Sequence, residues 1–134
     1  MTVRPKPPTE GERSEEPVVL VVDDDKSMRE ALESLFRSVG LQVKLFASTT
    51  DLMSGALPNA PSCLVLDVRL PGVSGLDFQG DLAAAGIHIP IIFMTAFPTD
   101  PVRARAMAAG AVCFLTKPFD ASTLSEGIKT ALHQ

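Results

Sequence analysis

Short, branched apolar runs alternate with stretches of helical periodicity all the way from Val18 to Leu132, and no other property of the chain narrows its fold so far. VVLVV, Val18–Val22, is continuous rather than alternating, which marks a strand covered on both faces. The period then changes. Met28, Ala31, Leu32, Leu35, Phe36 and Val39 recur at helical spacing, and Gly40 stands where a left-handed cap belongs. QVKLF, Gln42–Phe46, gives a second strand, and Ser48 or Thr49 can cap a short helix reaching about Leu57. CLVL, Cys63–Leu66, is a third strand, followed by the loop DVRLPGVSG and a helix from about Leu76 to Ala85. PIIFM, Pro90–Met94, is a fourth, after which Asp100 caps a helix that runs through Ala109 and stops at Gly110. Val112–Leu115 is the fifth. Asp120 opens the last helix, with its stripe of Ala121, Leu124, Ile128, Ala131 and Leu132. Strand and helix in strict alternation with short links specify an α/β fold: a doubly wound, five-stranded parallel sheet with helices on both faces and right-handed crossovers.

Composition agrees with one such unit. The 134 residues, 46% of them hydrophobic, suit a single core. The first stretch, residues 1–16, combines Pro5, Pro7 and Pro8 with mixed charges and almost nothing to bury, and is expected to be a flexible tail before a domain spanning 17–134. A net charge of -4 without Lys/Arg clusters argues against direct nucleic acid binding. No apolar run approaches the roughly 20 residues of a bilayer span, and the polar, proline-rich start lacks the apolar core of a secretory signal, so a cytoplasmic protein without a membrane role is expected. Cys63 and Cys113 lie inside apolar runs and read as buried free thiols, in keeping with a reducing compartment.

In doubly wound sheets ligands bind beyond the carboxyl ends of the strands. The residues at those ends are Asp23, Asp24 and Asp25 after the first strand, Asp67 after the third, Thr95 after the fourth and Lys117 after the fifth. Carboxylates brought close together must share a proton or a cation. Hard oxygen ligands suit Mg2+, which takes one or two protein carboxylates and accepts phosphate oxygens besides. A hydroxyl and an ammonium alongside can hold phosphoryl oxygens, and a carboxylate can itself accept the group. The rim is therefore consistent with Mg2+-assisted phosphorylation of an aspartate.

VVDDDKSMR, LDVRLPGVSG, MTA and FLTKPF, in this order and each at a strand end, resemble the receiver domain of bacterial two-component response regulators, most closely the FixJ-like branch. The likeness covers Val18 to about Leu132. It implies the flavodoxin-like strand order 2-1-3-4-5, Asp67 as phosphoacceptor, and a sensor histidine kinase as donor. It further implies that Asp24, Asp67 and the backbone carbonyl of Arg69 hold Mg2+ while Asp23 acts through water. Thr95 and Lys117 would bind the phosphoryl group, Lys117–Pro118 would be a cis peptide, and Phe114 would be the switch ring. Signalling would pass through the face around the fourth helix and fifth strand to a downstream effector or output domain, with a phosphorylation-dependent homodimer as one form of output. The domain would be no enzyme beyond catalysing its own phosphorylation and dephosphorylation.

The chain departs from the family pattern in three places. Arg69 and Phe97 stand two residues past Asp67 and Thr95, at positions that tune dephosphorylation, and neither is an acid or amide that positions water; slow self-dephosphorylation is expected. Phe114 has no hydroxyl, so its switching is expected to work through packing alone. FixJ-like receivers generally precede a DNA-binding helix-turn-helix domain, whereas this sequence ends at Gln134; a stand-alone receiver and a truncated one are both compatible with it. Bland roles compete as well. Asp25 or Ser27 caps the first helix, and His88 and His133 are isolated, solvated residues. Two rival functions remain: a Mg2+-dependent phosphatase using Asp23 as nucleophile, and a receiver-like interaction module that is not phosphorylated.

Overall fold

The computed structural model describes residues 17–55, 57 and 62–133. The expected tail, residues 1–16, lies outside them. In chain order the elements are β1 (Val18–Val22), α1 (Lys26–Ser38), β2 (Gln42–Phe46), α2 (Thr49–Met53), β3 (Ser62–Asp67), β4 (Arg69–Leu70), β5 (Val73–Ser74), α3 (Gly75–Ala84), β6 (Ile91–Thr95), α4 (Asp100–Ala108), β7 (Cys113–Thr116) and α5 (Ala121–Leu132). β2-β1-β3-β6-β7 form one sheet, in which every neighbouring pair is parallel. This is the doubly wound flavodoxin-like order expected for the five strands.

Strand pleating divides the core in two. Val19 and Val21 of β1, Cys63 and Val65 of β3 and Ile92 and Met94 of β6 turn toward Leu32 and Phe36 of α1 and Leu124, Ile128 and Ala131 of α5. Val18, Leu20, Leu64, Leu66 and Phe93 turn the other way, toward Leu52 of α2, Leu76, Phe78 and Leu82 of α3, and Ala106 of α4. Every residue of β1 and β6 is buried, as continuous apolar runs in a two-sided sheet require. Each large aliphatic side chain removed from water there contributes about 1.5–3 kcal/mol before its ordering entropy is subtracted. β2 is an edge strand, and its exposed Gln42 and the charged Lys44 discourage pairing with another chain.

Several expected boundaries shift. β3 extends to Asp67, which pairs with Met94 and so is fixed by the ladder itself. Within the expected loop, Arg69 pairs with Ser74 and Leu70 with Val73 in a small antiparallel hairpin turning at Pro71 and Gly72. α2 stops at Met53, short of Leu57, because the Ser54 hydroxyl donates to the Thr50 and Asp51 carbonyls and ends the helix. α4 is capped by Thr99, whose hydroxyl accepts from the Val102 N–H, and Asp100 is its first residue. Other expectations hold. Asp25 caps α1 by accepting from the Ser27 N–H, and Gly40 has φ 83, the left-handed conformation.

Candidate functional site

At the carboxyl end of the sheet a cavity of about 240 Å³ is lined by Asp23, Asp24, Asp25, Asp67, Arg69, Thr95, Ala96, Phe97 and Lys117. β1 and β3 are sheet neighbours and deliver Asp23 and Asp67 side by side. β6 delivers Thr95 next to them, and the Lys117 N–H donates to the Thr95 carbonyl at 2.8 Å, which ties the end of β7 to the same rim. The Lys117–Pro118 peptide is cis.

Asp23 and Asp24 are sequence neighbours in opposite surroundings. Asp23 is fully buried. Its Oδ1 accepts from the Asp25 N–H at 2.9 Å, its Oδ2 accepts from Lys117 Nζ at 2.8 Å, and its carbonyl accepts from Arg29 Nη1 at 2.8 Å. Asp24 is exposed, and no hydrogen bond to its carboxylate occurs among the described residues. Asp67 is 7% exposed; its Oδ1 accepts from the Arg69 N–H at 3.0 Å and its Oδ2 from Lys117 Nζ at 2.9 Å. One ammonium thus bridges the two buried carboxylates. Burial pushes the Asp67 carboxyl above its ordinary range, while hydrogen bonds from Lys117 and the Arg69 N–H and the lysine charge pull it part of the way back. Burial would lower Lys117, but its hydrogen bonds and charge attraction to Asp23 and Asp67 outweigh that and raise it, so it is cationic at neutral pH.

The donor set suits a hard cation. One carboxylate oxygen from each of Asp23, Asp24 and Asp67 lies within 4.8 Å of the others. All three are oxygen donors, and Asp24 opens to solvent, from which a hydrated ion can arrive.

Thr95 is fully buried at the cavity wall, and its Oγ1 accepts from the Phe97 N–H at 3.1 Å, leaving the hydroxyl hydrogen available to a further acceptor. Phe97 is 64% exposed, yet the Arg69 guanidinium lies 4.5 Å from its ring centroid. This stack links the loop after β3 to the loop after β6 across the cavity mouth. Phe114 does not line the cavity. It is buried in the α3/α4 half of the core, 6.5 Å from Phe93 by ring centroid, and the Arg103 guanidinium of α4 covers it at 4.9 Å. His88 and His133 are exposed and lie outside the cavity lining.

Two contributors were not anticipated from sequence. Arg29, one turn into α1, braces the Asp23 backbone; its position inside VVDDDKSMR gave no spacing that distinguishes it from a surface charge. Gly75 closes the hairpin against β3: its N–H donates to the Val68 carbonyl at 2.7 Å, and a Cβ at this position would meet the Asp67 carbonyl oxygen at 2.5 Å. Only glycine allows that approach without displacing the Asp67 backbone. A glycine three residues past the Pro71–Gly72 turn was the available signal.

Known proteins are similar to this chain in sequence and in fold. The family model "Response regulator receiver domain" matches residues 19–129. Nodulation protein W of Bradyrhizobium diazoefficiens is 52% identical over 120 residues, covering 90% of this chain and 53% of that protein. The transcriptional regulatory protein FixJ of Azorhizobium caulinodans is 39% identical over 114 residues, covering 85% of this chain and 54% of its own length. Among solved structures, FixJ-N superposes with a TM-score of 0.80 at 32% identity, covering 89% of this chain and 95% of that one. The response regulator StyR gives 0.82 at 44% identity, covering 88% of this chain and 60% of that one. The chain belongs to the response regulator receiver domain family, in its FixJ-like branch. It is a receiver of the two-component type, and it spans about half the length of the curated relatives it matches.

Proposed function

We propose that Asp67 accepts a phosphoryl group from the phosphohistidine of a sensor histidine kinase. The observation that carries this reading is the position of Asp67: a largely buried carboxylate, fixed by the β3 ladder and held by Lys117, beside an exposed aspartate that has no hydrogen bond among the described residues. A carboxylate whose proton affinity is raised by burial is also a better nucleophile once ionised. An Asp67 oxygen forms the new O–P bond as the N–P bond of the donor breaks, and the bonding pair leaves on the imidazole nitrogen.

Asp24, Asp67 and the Arg69 carbonyl would hold Mg2+, with Asp23 acting through water; the ion supplies charge neutralisation for the phosphoryl oxygens. Asp23 suits the indirect role because it is sealed from solvent, whereas Asp24 is open to an arriving ion. Lys117 keeps its bond to Asp23 and moves the one it makes to Asp67 onto a phosphoryl oxygen, and Thr95 turns its free hydroxyl hydrogen toward another. Charge stabilisation by such groups is most of what phosphoryl transfer requires of a protein. The group adds roughly -1.5 to -2 charge at one point. Drawing Thr95 toward it empties space on the face it shares with Phe93 and Phe114, and the α4–β7 surface changes for an effector, an output domain or a second copy. The domain catalyses only its own phosphorylation and dephosphorylation, and acts in the cytoplasm where a kinase phosphohistidine is available; among the described residues no helix is long and apolar enough to cross a membrane.

The phosphatase alternative asks Asp23 to attack, which its complete burial opposes. Transfer of labelled phosphate from an autophosphorylated sensor kinase tests the proposal. The expected product is labelled protein that hydroxylamine strips, as it does an acyl phosphate, and that Asp67→Asn fails to form. Mg2+-dependent hydrolysis of phosphate esters lost in Asp23→Asn but kept in Asp67→Asn would contradict it.

A further inference from the structure

The expectation that Phe114 works through packing alone leaves out a contact that the structure contains. Arg103, exposed on α4, places its guanidinium 4.9 Å from the centroid of the Phe114 ring. No ion pair among the described residues involves Arg103, so the aromatic face is the partner its charge has found. The neighbouring Arg105, by contrast, pairs with Asp77 of α3 at 2.7 Å.

Sheet register explains why this contact matters to the site. Thr95 pairs with Thr116 and Phe93 with Phe114 across β6 and β7, so Thr95, Phe93 and Phe114 lie on the same side of the sheet, beneath α4. The ring already touches Phe93 on one flank at a centroid distance of 6.5 Å and is 5% exposed. The contact is made with the ring where it now stands, 4.9 Å from the guanidinium, and a ring displaced toward Thr95 while α4 stays in place would leave that position. Such a movement therefore gives up the cation–π attraction, unless α4 travels with it.

We infer that Arg103 is a positioning residue that latches Phe114 to α4 and opposes the shift of the ring toward Thr95. The inference rests on the reading of Asp67 as acceptor and adds to it a residue outside the site that sets how readily phosphorylation is felt. Because the latch stabilises the ring position found in this structure, ligands that pull Thr95 inward must bind against it. Loss of the cation then tightens their binding, and linkage requires the reciprocal effect, a looser Arg103 once the site is filled.

The test is a double-mutant cycle read by calorimetric titration of the whole chain with beryllofluoride in Mg2+, a stand-in for the phosphoryl group. An exposed cation–π contact is worth enough for Arg103→Ala to tighten beryllofluoride binding about two- to fivefold, with Arg103→Lys falling between it and the wild type. In a Phe114→Leu background the same Arg103→Ala change is expected to do nothing. Proton resonances of the Arg103 side chain, shielded by the ring, should move downfield when beryllofluoride is added to the wild type. Alanine is a good helix former and Arg103 is exposed, so the variant retains the fold. Affinity unchanged or weakened by Arg103→Ala, or an equal gain in the Phe114→Leu background, overturns the latch alone. Absence of any binding by the wild type overturns the acceptor assignment and the latch together.

Discussion

Burial separates residues that sequence leaves equivalent. Asp23, Asp24 and Asp25 form one run, yet the first is sealed in and bridged by Lys117, the second is open to solvent, and the third spends its side chain capping α1. Phe97 shows the same divergence from its surroundings: a large exposed ring held in place by the Arg69 guanidinium over the cavity mouth. A phosphoryl group on Asp67 would lie beneath that stack, with restricted access for water. Phe97→Ala is accordingly expected to shorten the phosphoryl lifetime about tenfold, the effect of losing about 1.4 kcal/mol of barrier; a wild-type lifetime of seconds that the substitution leaves alone would contradict the shielding. Cys63, on β3, makes a different use of burial. Desolvation, with a smaller effect from Cys113, pushes its thiol from 9.0 up to about 12. A folded value above the unfolded one means that its contribution to stability is complete below about pH 9 and disappears as the pH climbs toward 12. Cys63→Ala leaves a cavity and is less stable at neutral pH, but the gap to wild type in urea midpoint should narrow as pH rises above 9, and a constant gap would refute the assignment.

Among the elements, strands were the most legible. Continuous branched runs such as VVLVV have no alternative to a sheet covered on both faces, and β1 and β2 fall where the runs lie. The other three strands extend or slide by a residue, because the end of a strand is decided by its neighbour: Asp67 joins β3 through Met94, which no local pattern announces. Helix ends were less legible for a related reason. Thr99 and Asp100 are both good caps, and the choice depends on which backbone N–H groups are left free; Thr99 accepts from Val102, and Pro101 fits the first turn because its missing N–H is not needed there. Thr99→Ala should therefore cost about 1 kcal/mol in denaturant unfolding and Asp100→Ala distinctly less, the reverse of what capping by Asp100 would give. The hairpin β4–β5 has only two residues per strand, too short for any periodicity, and is visible only once Gly75 is seen packed against the Asp67 carbonyl.

At the scale of the whole molecule, the site was legible before the fold was seen because topology does the assembling. A parallel sheet carries the carboxyl ends of β1, β3, β6 and β7 to one rim, so residues as far apart in sequence as Asp23 and Lys117 could be grouped from strand order alone. The contacts that could not be read were those made by long side chains reaching between elements: Arg29 to the Asp23 carbonyl, Arg69 to Phe97 and Arg103 to Phe114. An arginine has several rotatable bonds, and its partner is chosen by the finished surface rather than by local sequence. Under the proposed function the acidic run after β1 is support, and the single aspartate at the end of β3 is the reactive group. The most direct test of that division is the intact mass of the protein after incubation with acetyl phosphate and Mg2+. Wild type is expected to gain one phosphoryl group and Asp67→Asn none; a gain by Asp67→Asn, or none by the wild type, would contradict it.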